Sequence, residues 1–149
     1  MTGSKRLGEL LLEAEAITAE DLERALEIQS SSGERLGSVL LRLHMVDSRL
    51  LGALLARQHG VEAVDLAVAL PQPRALALLS REQAHRLGCL PLRVVGDEVE
   101  VVFTDPMDAR VVAEVERTVG RPVRRLVAPQ TSVFAAIMRH YPPEGPRRR

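Results

Sequence analysis

The feature that most constrains the fold is an internal repeat in the first 58 residues, where one pattern returns after 29 positions. The tripeptide Arg6-Leu7-Gly8 is repeated as Arg35-Leu36-Gly37, and the match continues to a glutamine that ends each copy. The further matched pairs are Leu11 and Leu40, Leu12 and Leu41, Ile17 and Val46, Leu22 and Leu51, Leu26 and Leu55, and Gln29 and Gln58. A chain that carries one unit twice is expected to fold that unit twice.

Each copy has the pattern of a short helix, a turn and a longer helix. The apolar positions of the longer segment recur at intervals of three and four, which places them on one helical face. They are Leu22, Ala25 and Leu26, ending at Gln29, and Leu51, Leu54 and Leu55, ending at Gln58. Thr18 and Asp47 precede these segments as N-caps, and Asp21 approximates a capping box with Thr18. The sequence therefore predicts four helices in the first half.

The second half has a different pattern, which predicts a small sheet with helices. Two β-branched runs, at 90–95 and 98–103, flank Gly96-Asp97, a dipeptide typical of a tight hairpin. Asp105 and Pro106 have the residue types of a cap and a first helical position, so we expect a helix from there to Gly120. Further segments are predicted as helices at 73–79 and from residue 81, a strand at 121–127 and a closing helix at 130–141.

These patterns predict an α+β chain with a duplicated four-helix subdomain followed by a sheet subdomain of βαββαβα-like order. We expect the helical subdomain at residues 1–63, the sheet subdomain at 64–141 and a disordered tail at 142–149. The charge is divided in the same way. Residues 1–65 carry 11 acidic and 7 basic side chains, which gives a net charge of −4. Residues 66–149 carry 9 acidic and 13 basic side chains, which gives a net charge of +4.

Composition argues against several kinds of partner. The formal net charge is zero and there are only three aromatic residues, whereas nucleic-acid binding normally uses a basic surface and stacking platforms. The single Cys89 excludes an internal disulfide and reads as a buried thiol, and the four histidines match no metal-ligand spacing. No apolar run approaches the length of a membrane span, and no signal peptide is recognisable, so we expect a cytoplasmic protein that does not insert into membranes.

The repeated polar residues indicate a ligand. Packing alone explains repeated leucines and leaves an ordinary duplicated helical hairpin as one interpretation, but it does not require an arginine and a glutamine in both copies. Arginine can fork onto phosphate or guanine, glutamine offers a donor and an acceptor, and glycine admits a ligand to the backbone N–H groups of a helix N-terminus. Two such sets suit a ligand with two similar halves.

The doubled string Arg-Leu-Gly-x-x-Leu-Leu, then Ile or Val, then Leu-x-x-x-Leu-x-x-Gln, closely resembles the paired motif of MshEN domains. These are the N-terminal domains of type II secretion and type IV pilus assembly ATPases, and the resemblance implies binding of cyclic di-GMP. The ligand-binding positions that it implies are Arg6, Leu7, Gly8, Leu11, Leu22, Leu26 and Gln29 in the first motif and Arg35, Leu36, Gly37, Leu40, Leu51, Leu55 and Gln58 in the second. The turns depart from the family pattern, because Glu15-Ala16 and His44-Met45 stand where the family has a glycine and an aliphatic residue.

The second half also resembles this family, in Leu-Pro-Leu-Arg-Val at 90–94, Asp-Pro-Met-Asp at 105–108 and Gly-Arg-Pro-Val at 120–123. The phosphate-binding pattern Gly-x-x-x-x-Gly-Lys-Ser/Thr occurs nowhere, so we expect no ATPase activity in this chain, whether it is free-standing or part of a longer protein.

Our leading hypothesis is therefore a non-enzymatic regulatory module that binds cyclic di-GMP, needs no cofactor or metal, and acts on a secretion or pilus motor ATPase or its inner-membrane platform protein. The alternative is a protein–protein docking domain of such a machine that binds no nucleotide. A third class is an enzyme that acts on a small nucleotide.

Overall fold

The structure is a computed structural model that describes residues 6–142; residues 1–5 and most of the predicted disordered tail, at 143–149, lie outside the described residues. The elements in chain order are α1 (Leu7–Glu13), α2 (Ala19–Ser32), α3 (Leu36–Arg42), α4 (Ser48–His59), β1 (Glu62–Ala63), α5 (Pro73–Leu76), α6 (Arg81–Leu87), β2 (Cys89–Val95), β3 (Glu98–Phe103), α7 (Ala109–Val119), β4 (Val123–Val127) and α8 (Gln130–His140).

The first half forms the four predicted helices, α1 to α4. Both predicted N-caps are confirmed: the Thr18 hydroxyl accepts the Asp21 N–H at 3.0 Å, and the Asp47 carboxylate accepts the Leu50 N–H at 2.8 Å. The Asp21 carboxylate in turn accepts the Thr18 N–H, which completes the capping box. The repeated leucines and their neighbours bury one contiguous core, made of Leu7, Leu10, Leu11, Ile17, Ala25, Val39, Leu40, Val46, Leu51 and Leu54.

The second half contains a four-stranded sheet of order β1-β4-β3-β2. Strands β2 and β3 pair antiparallel around the Gly96-Asp97 turn, as predicted, while β4 lies parallel to both β3 and β1. Helices cover both faces: α6 and α8 pack over Leu90, Leu92, Val102 and Leu126, and α5 and α7 pack over Val99, Val101 and Phe103. The α+β class and the order of elements are confirmed, with the first helical segment divided into α5 and α6.

Helix α5 ends at Leu76, earlier than the predicted residue 79. The Leu78 and Leu79 N–H groups donate to carbonyls three residues back, at Ala75 and Leu76, so the chain tightens and brings Leu79 into the core. A new helix then begins from Ser80, whose hydroxyl accepts the Gln83 N–H at 3.0 Å.

The predicted start of α7 at Asp105 and Pro106 is wrong. The helix begins at Ala109, where the Asp108 carboxylate accepts the N–H groups of Arg110 and Val111 at 3.1 and 3.3 Å. Asp108 caps the helix because it lies directly before the apolar run, whereas the Asp105 carboxylate accepts the Met107 N–H inside the preceding turn. Asp105 is therefore left beside the helical half instead of at a helix end.

The helical half and the sheet half meet along α3, α4 and the start of α8. The Ser38 hydroxyl donates to the Gln130 side chain at 3.2 Å, and a Cβ on Gly52 of α4 would lie 3.8 Å from the Pro129 ring. The chain leaves α4 through Gly60, so Glu62 and Ala63 lie in the sheet. This junction contains the pocket described next.

Candidate functional site

A pocket of about 190 Å³ lies where the second copy of the repeat meets the sheet half. Six of the seven residues implied for the second motif line it: Arg35, Leu36, Gly37, Leu51, Leu55 and Gln58. The opposite wall comes from the ends of β3 and β4, through Thr104, Asp105, Pro129 and Gln130. The repeat and the sheet thus build one pocket from residues that are distant in sequence.

Arg35 occupies the N-cap position of α3, with an extended backbone at φ −70° and ψ 148°. Its side chain makes no capping hydrogen bond to α3, and the guanidinium Nη1 donates to the Thr104 carbonyl at 3.2 Å. Arg6 has nearly the same backbone, at φ −70° and ψ 153°, before α1. Both arginines therefore stand at a helix N-terminus, where backbone N–H groups favour anions.

The glycine after each Arg-Leu pair lets two helices approach closely. A Cβ on Gly37 would lie 3.1 Å from a Leu51 methyl carbon, and one on Gly8 would lie 3.2 Å from a Leu22 methyl carbon. These distances are shorter than ordinary contacts between carbon atoms. The contact positions a leucine of the longer helix against the N-terminus of the shorter one in both copies.

The first motif has different surroundings. Of its residues only Leu7 reaches the pocket, and Leu26 keeps 44% of its surface exposed. Arg6 is exposed, as Arg35 is, but lies outside the pocket. Gln29 and Leu22 are half-buried. The structure thus gathers the second motif around one pocket and leaves most of the first motif outside it.

Leu11 and Leu40, which the resemblance implies as ligand positions, are completely buried in the helical core. Each lies one helical turn after its Arg-Leu-Gly tripeptide, on the side of the short helix that packs into the core. In this structure their contacts are with the core.

Six residues of the pocket were missed by the sequence analysis: Ser38, His59, Thr104, Asp105, Pro129 and Gln130. Asp105 was interpreted as a helix cap, His59 was considered only as one of four histidines that match no metal-ligand spacing, and the other four were assigned no role. Ser38 and His59 belong to α3 and α4, whereas the other four come from the sheet half and line the pocket because that half packs against these two helices. Ser38 and His59 offered a sequence signal, since they directly follow Gly37 and Gln58 of the motif.

The pocket contains charges of both signs. Burial lowers the pKa of the His59 imidazole below its usual value, Asp105 opposes this shift, and Arg35 adds to it. The arginine and the carboxylate come from different halves of the molecule. The pocket can therefore receive an anion at Arg35 while Asp105 accepts hydrogen bonds.

The turns that depart from the family pattern have a common backbone feature. Glu15 and His44 adopt positive φ angles of 56° and 59°, the left-handed region in which glycine is favoured. The turn has thus kept the geometry for which the family uses glycine, and a side chain is accommodated there at some conformational cost.

The remaining candidates of the sequence analysis lie outside this pocket. Cys89 is buried, as predicted, and burial raises the pKa of its thiol to about 12. Within residues 6–142 the structure has no group of three His, Cys, Asp or Glu side chains suited to a metal ion. Across the same residues, every helix is too short or too polar to span a bilayer.

Comparison with known proteins agrees with this architecture. The sequence profile of the MshEN domain matches residues 59–147, more than half of the chain. The chain belongs to the MshEN domain family. The matched range begins at His59 and covers the sheet half. The similarity of the helical half to known proteins is therefore shown by the individual relatives.

These relatives match nearly the whole chain. The type IV pilus assembly ATPase PilB of Myxococcus xanthus is 30% identical over 96% of the chain, and PilB of Thermus thermophilus is 32% identical over 96%. Bacteriophage adsorption protein B of Escherichia coli K12 is 33% identical over 95%. The matched region is only 25%, 16% and 19% of the length of these three relatives, so the chain corresponds to a fraction of each.

Solved structures extend the likeness to three dimensions. A structure of MshE with cyclic di-GMP has a TM-score of 0.72 and 30% identity, covering 92% of this chain and 99% of that one. The N-terminal domain of XpsE has a TM-score of 0.70 and 25% identity, covering 95% and 99%. The fold of this MshEN domain is therefore shared over both halves.

Proposed function

We propose that this MshEN domain is a non-enzymatic receptor for cyclic di-GMP that regulates a cytoplasmic type II secretion or type IV pilus assembly ATPase. The observation that carries the proposal is the pocket lined by six residues of the second motif. The similar fold of MshE, solved with cyclic di-GMP, supports the same ligand. The ligand itself serves as the signal, and no cofactor is required.

The side chains of the second motif match the chemistry of a guanine nucleotide. The Arg35 guanidinium can fork onto phosphate oxygens or onto guanine O6 and N7, and its plane can stack on a base. The Gln58 carboxamide can donate and accept at once, and Leu51 and Leu55 can cover the base where other proteins use aromatic rings. Release of Arg35 from the Thr104 carbonyl would make its donors available to the ligand.

The duplicated motif fits a ligand built from two identical guanylate halves. In this proposal the second motif holds one half and the first motif, through Arg6 and Gln29, holds the other. Leu7 already reaches from the first motif into the pocket of the second. The two motifs therefore adjoin at Leu7, which supports a single ligand that contacts both.

The available space is consistent with a dinucleotide. The pocket of about 190 Å³ adjoins a wider groove of about 650 Å³, and Arg35, Ser38 and Gln130 line both. Ligand pockets commonly enclose roughly 300–1,000 Å³. Arg35 lines both spaces, and the described lining of the groove includes no residue of the first motif.

Calorimetric titration with cyclic di-GMP, GTP and ATP side by side tests the proposal. We expect heat of binding with cyclic di-GMP, and a ten- to hundredfold weaker affinity after Arg6→Ala or Arg35→Ala, since a hydrogen bond to a charged group is worth about 1.5–3 kcal/mol. Arg121→Ala is the matched control, because Arg121 is exposed and lies in the sheet half, outside the pocket.

The double variant Arg6→Ala with Arg35→Ala decides the outcome. Unchanged affinity in that variant would exclude the proposed site, provided that circular dichroism shows both proteins folded. Chromatography of cyclic di-GMP after hours with the protein separates a receptor from an enzyme, because a receptor returns the ligand intact.

A docking function is the second candidate, and one surface favours it. The loop after β1 exposes Val68 and Leu70, at 74% and 76% of their surfaces. The partner would be a secretion or pilus motor ATPase or its inner-membrane platform protein. Capture of such a purified partner at equal strength with and without cyclic di-GMP, together with no heat in the titration above, would favour docking alone.

A further inference from the structure

His59 is the last residue of α4 and follows the glutamine that ends the second motif. Its side chain lines the pocket and is half-buried, between Arg35 at the start of α3 and Asp105 after β3. An imidazole in this position faces the same space as the arginine and carboxamide of the motif.

His59 also breaks the repeat. The position 29 residues earlier is Ser30, which is exposed at the end of α2. Arg6 and Gln29 of the first motif correspond to Arg35 and Gln58 of the second. His59 has no histidine counterpart in the first copy. The pocket therefore contains a titratable group that the duplicated pattern does not include.

The charged groups around His59 come from two other elements. Arg35 precedes α3 and Asp105 lies in the turn before α7, so one positive and one negative group face the imidazole. The contributions of α1 and α8 to the pocket, Leu7 and Gln130, are uncharged. On α4 itself, Arg57 is exposed and two positions away, which directs it to another side of the helix.

We propose that His59 contacts the ligand and becomes protonated against one of its phosphates, so that the affinity for cyclic di-GMP rises as the pH falls. This inference rests on the proposed function. It adds a residue outside the doubled motif and a regulatory property that the motif alone does not have.

The direction follows from linkage. In the free protein, burial lowers the pKa of His59, so the imidazole is neutral near neutral pH. A phosphodiester anion beside it favours the charged form and raises that pKa. Binding therefore takes up a proton, and the gain in affinity develops as the pH falls through the range between the bound and free pKa values.

The test is calorimetric titration of cyclic di-GMP from about pH 8 to about pH 5.5, the range in which histidine changes charge. A shift of one pKa unit corresponds to about tenfold in affinity, and we expect a gain of roughly three- to tenfold for the unaltered protein. His59→Gln keeps hydrogen-bonding capacity without titrating and should bind with nearly constant affinity. His44→Asn is the matched control, since asparagine tolerates the left-handed turn and should retain the pH dependence.

A second measurement keeps the inference testable if His59→Gln does not fold. The pKa of His59, followed by NMR in the unaltered protein, should rise when cyclic di-GMP is added. An equal pKa with and without ligand would overturn the role of His59, as would full pH dependence in a folded His59→Gln protein, and neither result would affect the proposed receptor function. Absence of binding at every pH would overturn both.

Discussion

The two copies of the repeat have the same local structure but different surroundings. Both place an arginine at the N-cap, a glycine against a leucine methyl, and a left-handed residue in the turn. Within residues 6–142, the second copy packs against the sheet half, where Arg35 donates to Thr104 and the motif lines a pocket, while the first copy contributes Leu7 alone to that pocket. Sequence repetition thus determines the shape of each unit, while the neighbouring subdomain determines how enclosed each motif is.

This difference has a consequence for any ligand that uses both motifs. The second motif lines a half-open pocket that it shares with the sheet half, although the Arg35 side chain is exposed, as that of Arg6 is. Most of the first motif lies outside this pocket, where exposed charged contacts contribute little. Equivalent residues should therefore contribute unequally, and paired substitutions can measure the inequality.

The largest expected difference concerns the leucine that contacts each glycine. Leu51 is 1% exposed, so Leu51→Ala should lower the free energy of unfolding by about 2–5 kcal/mol, the usual cost of a cavity in a core. Leu22 is half-buried, so Leu22→Ala should cost about half as much. Urea denaturation of the two variants measures both values. Equal losses would mean that the two copies are equally packed in solution.

The arginines should differ in ligand affinity. We expect Arg35→Ala to weaken cyclic di-GMP binding by about 100-fold and Arg6→Ala by about tenfold, because Arg35 lines the pocket and Arg6 lies outside it. Titration calorimetry gives both ratios. If the two losses were equal, the complex would enclose both motifs alike, and the asymmetry would belong to the free protein alone.

The features that the sequence predicted are those set by local interactions, and the features that it missed depend on packing between distant segments. The helices, Thr18 and Asp47 as caps, and the Gly96-Asp97 turn follow from interactions within a few residues, so the sequence predicted them. The two-residue strand β1 exists only because β4 lies beside it, and Asp105 lost its predicted role because Asp108 caps α7. The sheet wall of the pocket depends on the packing of the two halves, which no local pattern encodes.

The glycines provide a third comparison, in stability. Gly37→Ala should destabilise the protein by about 1–3 kcal/mol, because its Cβ would meet Leu51 in a core that cannot yield. Gly8→Ala should be nearly neutral, since the half-buried Leu22 can move and alanine favours the helix by up to about 1 kcal/mol. Thermal unfolding of the two variants checks this. A larger loss at Gly8 than at Gly37 would contradict the burial argument.

The smallest effects should come from the turns, where the two copies are expected to agree. Glu15→Gly and His44→Gly should each stabilise the protein by about 0.5–1 kcal/mol, because relief of the left-handed strain exceeds the entropy that glycine adds to the unfolded chain. Ala14→Gly is the matched control: Ala14 has φ −79°, so glycine there relieves no strain and should destabilise. Since neither turn residue lines the pocket, affinity for cyclic di-GMP should not change. If glycine stabilised the protein at one turn and not at the other, the two copies would differ in local backbone strain as well as in their surroundings. The repeat would then be less symmetric than its φ angles indicate.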